Sequence, residues 1–249
     1  MRLHLRKLSR FLLASSILAI SLSPINAGAL STFKVSESKV WGHTYAGKSQ
    51  GVPSTRPPKV AYVEAKARFV VNYKNFPEWA KKDFQAAVDI WSQYFSSVVP
   101  IKIDATFGRS ASYGVLGSAR PGNYYSGFDG APDQSLWYPS ALANALAGKD
   151  LEPDNPEMII QVNSAANWNT RNDGAPKSTE YDLQSVFLHE IAHGLGFLST
   201  DSYDSFFGYG TIEQPTPYSA YAQLPDGRDR KSTRLNSSHV SESRMPSSA

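Results

Sequence analysis

Apolar and polar residues alternate along AKARFVVNY at positions 65–73, with a period of two. The apolar positions are Ala65, Ala67, Phe69, Val71 and Tyr73. This pattern predicts a half-buried strand, because successive side chains of a strand point to opposite faces. VPIKIDATF at 99–107 alternates in the same way, and EMIIQVNS at 157–164 is apolar and bounded by turn residues. We predict two further strands there.

A longer period, with apolar residues three or four positions apart, runs through positions 77–95. The repeating side chains are Phe84, Ala87, Val88, Trp91 and Phe95. This spacing places them on one side of an amphipathic helix, and Pro77 and Glu78 suit its first turn. We therefore predict a helix over 77–95 whose aromatic side chains pack in a core. SALANALAG at 140–148 is predicted to be a short helix.

Helical spacing returns in DLQSVFLHEIAHGLGF at positions 182–197. The residues expected on its buried face are Leu183, Val186, Phe187, Ile191 and Leu195. Thr179 and Asp182 have the spacing of a helix cap, and Gly196 suits the turn out of the helix. The stretch 108–155 is rich in turn residues and is predicted to be mostly loop. Strands and helices in this order predict an α+β fold with a small mixed sheet.

Both ends of the chain differ from the segment between them. Residues 1–29 combine a basic start, an apolar run at 11–22 and small residues at 27–29, which is typical of a secretory signal peptide. Residues 30–58, rich in Ser, Gly, Lys and Pro, predict a flexible lead-in. We expect one domain over 59–228. Localisation is expected to be secreted or periplasmic, with a bacterial origin.

The tail, residues 229–249, is polar and rich in serine. Codons for 229–239 and for 242–249 can be written to match the two ends of a widely used DNA-sequencing adapter. We interpret these residues as a translated, non-native adapter and leave them out of the fold prediction. Natural sequence is then expected to stop near Arg228, with the domain cut short.

Composition changes once the two ends are set aside. The whole chain has 25 basic and 22 acidic residues. Without the four basic residues of the leader, and the four basic and two acidic residues of the tail, 17 basic and 20 acidic residues remain. A net charge of −3 gives no indication of nucleic-acid binding. No membrane span is expected in the mature chain, and the absence of cysteine excludes disulfides.

The chemistry of the chain is concentrated in HEIAH at positions 189–193. Residues four apart lie one turn apart on the same side of a helix, so His189 and His193 can both direct a ring nitrogen at one zinc ion. Glu190 follows the first histidine and is placed to act as a general base on water. We therefore predict Zn²⁺ as the cofactor, His189 and His193 as metal ligands, and Glu190 as the catalytic residue.

DLQSVFLHEIAHGLGF resembles the active-site helix of zincin metallopeptidases, and most closely the matrixin-like branch of the metzincins. The resemblance is specific over these sixteen residues and only architectural over 60–197. It implies a zincin-like catalytic domain with a backing helix, an active-site helix and, here, an incomplete lower subdomain. It also implies peptide bonds as the substrate. Gly196 matches the family glycine at the helix exit.

The chain departs from the family at Ser199, where the family has a third ligand, a histidine or occasionally an aspartate. A neutral hydroxyl binds zinc weakly. The alternatives are Asp201, Asp204, Glu213 or a residue beyond Arg228, with His43 as a remote option. Glu213 is disfavoured, because nearby Gly and Pro residues argue against the second helix that glutamate zincins use. The methionine-containing turn expected beneath a metzincin zinc is also missing.

Three functions are considered from these patterns. The first is an exported zinc endopeptidase that hydrolyses protein or peptide substrates, with Glu190 as general base. The alternative is a catalytically degenerate zincin-fold module that binds a surface. A carbohydrate-binding domain would use Tyr124, Tyr125, Trp137 and Tyr138, although rings of this kind more often pack in cores. Carboxylates in DGAPDQ and KDLEPDNPE make Ca²⁺ conceivable, but solvated loops are the simpler interpretation.

Overall fold

The computed structural model describes residues 33–46, 54, 56, 66–204, 209–212 and 214–221, with only the backbone described over 202–204 and 209–212. The elements are β1 (Lys34–Glu37), β2 (Gly42–Tyr45), β3 (Phe69–Lys74), α1 (Glu78–Tyr94), β4 (Ile101–Gly108), β5 (Val115–Pro121), β6 (Asn123–Ser126), β7 (Tyr138–Pro139), α2 (Ser140–Ala147), β8 (Met158–Asn163), α3 (Leu183–Leu195), β9 (Asp201–Asp204), β10 (Tyr209–Ile212) and α4 (Pro217–Tyr221). None of the helices in this part of the chain is long and apolar enough to cross a membrane.

Five strands form the main sheet in the order β2-β5-β8-β4-β3. β3, β4 and β8 run parallel, whereas β5 and β2 run antiparallel to their neighbours. The sheet is therefore mixed, and with its helices it confirms the predicted α+β class. A smaller sheet joins β1, β6 and β7, and β9 pairs with β10.

The strands and helices predicted from periodicity lie close to their expected positions. α1 begins at Glu78 after Pro77 and ends at Tyr94. β4 buries Ile101, Ile103 and Ala105, as the alternation predicts. Phe84 and Phe187 bring α1 and α3 together, with ring centroids 4.5 Å apart. One continuous core therefore joins the two helices to the sheet.

The stretch 108–155 corrects the sequence interpretation, because it contains β5, β6 and β7 as well as α2. Most of β5 is buried on both faces, so it lacks the alternation that would have revealed it. β8 lies between β4 and β5 in the sheet. On the metzincin resemblance, EMIIQVNS at 157–164 would be the cleft edge that pairs with an extended substrate. That expectation is wrong, because β8 has a strand on each side.

The lead-in also differs from the flexible segment that its composition predicts. β1 pairs antiparallel with β6, from Lys34 opposite Ser126 to Glu37 opposite Asn123. β2 pairs antiparallel with β5 and forms one edge of the main sheet. Residues 34–37 thus add a strand to β6 in the smaller sheet, and residues 42–45 add a strand to β5 in the main sheet.

The aromatic and acidic loops are built into the fold. Tyr124, Tyr125 and Tyr138 are buried, and the last two belong to a second apolar cluster with Phe128 and Leu136. Packing therefore explains these rings without a carbohydrate ligand. In the acidic loop, Asp150 pairs with Lys102, and Glu152 accepts hydrogen bonds from Tyr125, Asn123 and Asn155. These carboxylates connect the loop to β4 and β6.

The first turn of α3 is stabilised by an N-cap and by an ion pair. Asp182 is the N-cap, and its side chain accepts hydrogen bonds from the backbone N–H and the hydroxyl of Ser185. Thr179 lies three residues before the cap and does not provide it. Arg56 forms an ion pair with Asp182 at 2.7 Å and with Asp83 of α1 at 3.2 Å. The lead-in therefore ties the first turn of α3 to α1.

We predict that Asp182→Ala lowers the free energy of unfolding by about 2 kcal/mol or more, measured by urea denaturation. The variant loses the N-cap, which contributes roughly 0.5–2 kcal/mol, and it leaves Asp83 as the remaining acidic partner of Arg56. Asp182→Asn is the matched control, because asparagine caps helices well but carries no charge. Equal stability of the alanine variant and wild type would contradict this role.

Candidate active site

α3 brings the two predicted ligand histidines together. His189 and His193 lie one turn apart on this helix, and their Nε2 atoms are 2.9 Å apart. Two nitrogens bound to one tetrahedral zinc at about 2.0–2.1 Å would be about 3.4 Å apart. An adjustment of about half an ångström would therefore bring both rings to a shared metal ion.

The exit from α3 fixes the orientation of one ring. Gly196 takes a φ of 118°, which favours glycine, and turns the chain back toward the helix. The carbonyl oxygen of Phe197 then accepts a hydrogen bond from Nδ1 of His193 at 2.8 Å. Because a carbonyl only accepts, Nδ1 carries the proton and Nε2 keeps a lone pair. Metal-ligating histidines are commonly held in this way.

Both histidines favour the neutral form. Burial lowers the pKa of His189 to about 4, and the nearby His193 adds to the effect. The pKa of His193 is lowered mainly by burial and also by His43, while its bond to Phe197 acts in the opposite direction. Neutral imidazole is the form that binds metal. The pair therefore needs little or no deprotonation at neutral pH.

Glu190 is fully buried beneath β5 and β2. Gly117 of β5 permits the close approach, because a Cβ at that position would lie 2.9 Å from Oε1 of Glu190. Thr44 of β2 donates two hydrogen bonds to the same Oε1, from its hydroxyl at 2.6 Å and its backbone N–H at 3.1 Å. Oε2 is buried and has no hydrogen-bond partner among the residues described.

The charge state of Glu190 follows from this environment. Burial raises its pKa to about 8, and the two donors of Thr44 oppose the shift. A carboxyl group with one oxygen fixed and the other unpartnered can bind or exchange a proton at a defined atom. Water is the small molecule that such a buried polar atom ordinarily binds.

The third ligand is not found among the side chains that the structure describes. No group of three or more His, Cys, Asp or Glu residues there could hold a metal ion. Ser199 contacts Ser219 at 3.1 Å between hydroxyl oxygens and accepts the N–H of Asp201 at 3.1 Å. Asp201 and Asp204 lie on β9. The side chain of Asp204 and all of Glu213 lie outside the described residues.

His43 lies near the pair without joining it. It belongs to β2, between the buried Gly42 and Thr44, and it does not form a three-residue metal-binding group with His189 and His193. Burial lowers its pKa. Its ring is 5.7 Å from that of Tyr45, measured between centroids. As a third ligand, His43 is therefore not supported by this geometry.

Sequence patterns did not reveal three residues that shape the site. Thr44 and Gly42 belong to the lead-in, where composition indicates a loose segment. Gly117 lies in a stretch interpreted as loop. A glycine inside a strand often marks the close approach of another group. Gly117 would therefore have indicated a close contact if β5 were predicted as a strand.

A family model described as SPBPB7E8-like matches residues 73–214, which is more than half of the 249 residues. The matched region runs from β3 to the hairpin of β9 and β10, and so includes α3 and both histidines. No curated protein and no solved structure gives a significant match to this chain.

We predict that Gly117→Ala destabilises the fold by about 1–3 kcal/mol, the usual effect of overpacking. The new methyl group would lie 2.9 Å from Oε1 of Glu190 and 3.0 Å from Cγ1 of Val186. Thr44 holds Glu190 in place, so the carboxylate cannot move away freely. Urea denaturation gives the measurement.

Gly108→Ala is the matched control for that prediction. Gly108 also lies in a strand, but a Cβ there would meet nothing closer than Thr106 Cγ2 at 3.8 Å. Its stability should stay within about 0.5 kcal/mol of wild type. If both alanine variants unfold at the same urea concentration, close packing of Glu190 against β5 is not the constraint described here.

Proposed function

The chain belongs to the SPBPB7E8-like family, and we propose that it is an exported zinc-dependent endopeptidase with Glu190 as its general base. His189 and His193 would hold the metal. The substrate class, peptide bonds, and the zincin architecture come from the resemblance of residues 182–197 to metzincin active-site helices. Export is inferred from the signal-peptide pattern of residues 1–29.

The observation that carries the proposal is the arrangement of three side chains on one helix. The Nε2 atoms of His189 and His193 converge, and the bond from Nδ1 of His193 to Phe197 leaves Nε2 of His193 as an acceptor that faces Nε2 of His189. Glu190 follows His189 directly and keeps one buried carboxylate oxygen without a partner among the described residues. A purely structural metal site would have no use for that oxygen.

The residues present offer zinc two nitrogen ligands, one of which is oriented by its hydrogen bond to the carbonyl oxygen of Phe197. Zinc bound there would lower the pKa of a water molecule and polarise a peptide carbonyl. Oε2 of Glu190 would take a proton from the attacking water and deliver it to the leaving nitrogen. In this structure Thr44 donates to Oε1, so Oε2 is the oxygen left without a donor among the described residues and able to take a proton.

A positive ion at the histidines would also change Glu190. Burial, partly offset by the donors of Thr44, raises the pKa of this carboxyl to about 8, whereas a nearby cation favours the ionised form. The base would then be ionised at neutral pH when metal is bound. A third ligand remains to be supplied. Asp201 does not join the two histidines in a three-residue group here, so Asp204, Glu213 and a residue beyond Arg228 are the proposed sources.

The competing function is a catalytically degenerate zincin-fold module that binds a surface. The contacts of Ser199 favour it, because this hydroxyl is engaged by Ser219 and the N–H of Asp201. In that case the metal would have no complete ligand set. Ca²⁺ remains a minor proposal for the acidic loops.

We predict that the purified protein contains one zinc per chain and cleaves unstructured casein on prolonged incubation. Glu190→Gln should keep the zinc and lower the cleavage rate by roughly 10²-fold to 10⁴-fold, because the glutamine side chain cannot accept the proton. His189→Ala and His193→Ala should lose both zinc and cleavage. Zinc is measured by elemental analysis, and cleavage by gel and mass spectrometry.

Glu78→Gln is the matched control, since this glutamate lies in α1 with an exposed side chain. It should match wild type in zinc content and rate. A Glu190→Gln protein that cleaves as fast as wild type would refute the base assignment. Absence of zinc, or bound zinc without any cleavage by wild type, would favour the binding-module function over the peptidase.

A further inference from the structure

β2 occupies the outer edge of β5, next to the candidate active site. The strands are antiparallel, with Gly42 opposite Ala119 and Thr44 opposite Gly117. Gly117 is also the residue beneath which Glu190 lies. An exposed sheet edge is where an extended peptide can add as another strand. Here a segment of the same chain has taken that position.

The residues of β2 that face α3 fit the site closely. Gly42 and Thr44 are buried, while His43 is partly exposed and Tyr45 is exposed. Thr44 supplies both donors to Oε1 of Glu190. Gly42 lies over His193, where a Cβ would come within 2.2 Å of Cδ2 of the ring. Only a residue without a side chain fits there.

β2 is peripheral to the fold. The strands β5, β8, β4 and β3 form a continuous sheet without it. None of the residues Gly42–Tyr45 belongs to the main apolar core. By contrast, β2 helps to enclose Glu190, which is 0 % exposed, and His193, which is 7 % exposed. Its closest contacts are therefore made to the groups of the candidate site.

We propose that β2 lies where a peptide substrate would pair with β5, and that it keeps the candidate active site closed until it is displaced. The inference rests on the proposed function, because the site that β2 closes is the proposed peptidase site. Thr44 is then an inhibitory contact. Replacing an inhibitory Thr44 should speed turnover. If Thr44 instead positions Glu190 for catalysis, replacing it must slow turnover.

The first test measures occupancy without relying on activity. A fluorescein-labelled synthetic peptide with the sequence of residues 38–46 is titrated onto the full-length, zinc-loaded protein, and binding is followed by anisotropy. Thr44→Val should bind this peptide about tenfold more tightly than wild type, because its own β2 holds its place less strongly. Thr44→Ser, which keeps the hydroxyl, should bind like wild type.

Two controls accompany the titration. Val35→Thr changes an exposed residue of β1 and should bind the peptide like wild type. A labelled peptide with valine in place of Thr44 should bind Thr44→Val more weakly than the native peptide does. Equal affinity of wild type and Thr44→Val for the native peptide would overturn the inference.

A second measurement needs no variant and so does not depend on its folding. Saturating unlabelled peptide should speed hydrogen exchange of the backbone amides at 42–45 in wild type, because free peptide displaces β2. Exchange in α1 and β4 should stay unchanged. No change at 42–45 under saturating peptide would contradict the proposal.

Cleavage of casein by the same proteins separates the two proposals. Thr44→Val should cleave about tenfold faster than wild type, and the unlabelled peptide should inhibit it. Slower or unchanged cleavage would overturn the closure proposal and, if slower, make Thr44 a positioning residue. If no zinc-loaded protein cleaves while peptide binding follows the expected order, the proposed peptidase function is wrong and occupancy by β2 is supported.

Discussion

The close contact between α3 and the sheet determines the position of every other group at the site. Gly194 lies over β8, where a Cβ would be 2.6 Å from the sulfur of Met158, and Gly117 of β5 lies over Glu190. Side chains at either position would push the helix away. Because both are glycines, the carboxylate of Glu190 lies directly beneath the strands, within reach of Thr44.

Two carboxylates of this helix region, Asp182 and Glu190, are both buried but differ in how well their charge is compensated. At its start, Asp182 is buried but has Arg56 and the donors of Ser185 as partners. One turn from its end, Glu190 is buried, and among the described residues its hydrogen-bond donors are those of Thr44 on one oxygen. The first arrangement satisfies a charge and stabilises the helix. The second leaves a polar atom unsatisfied, a cost that proteins commonly tolerate where chemistry requires it.

The spacing of apolar residues is sufficient to predict the helices and strands that bury one face. α1, β4 and α3 have such faces, and the HEIAH spacing placed His189 and His193 on one side of a helix before any coordinates were known. β5 was missed because residues such as Leu116 and Ser118 are buried on the face opposite Gly117, so no alternation remains. Thr44 could not be found, because its role depends on a pairing between segments far apart in sequence. The cap of α3 predicted from Thr179 and Asp182 is confirmed only in part, because Asp182 caps the helix and Thr179 does not.

The pairing of the lead-in with β5 and β6 also has a consequence for the order of folding. Tyr45 pairs with Val115, and Lys34 pairs with Ser126, so the chain must close loops of 70 to 92 residues to form these contacts. Phe69 and Ile101, which pair β3 with β4, are only 32 residues apart. Contacts of lower sequence separation form faster on average. The hydrogen bonds from Thr44 to Glu190 span 146 residues, so during refolding β2 is expected to close over Glu190 after the central strands of the sheet have paired.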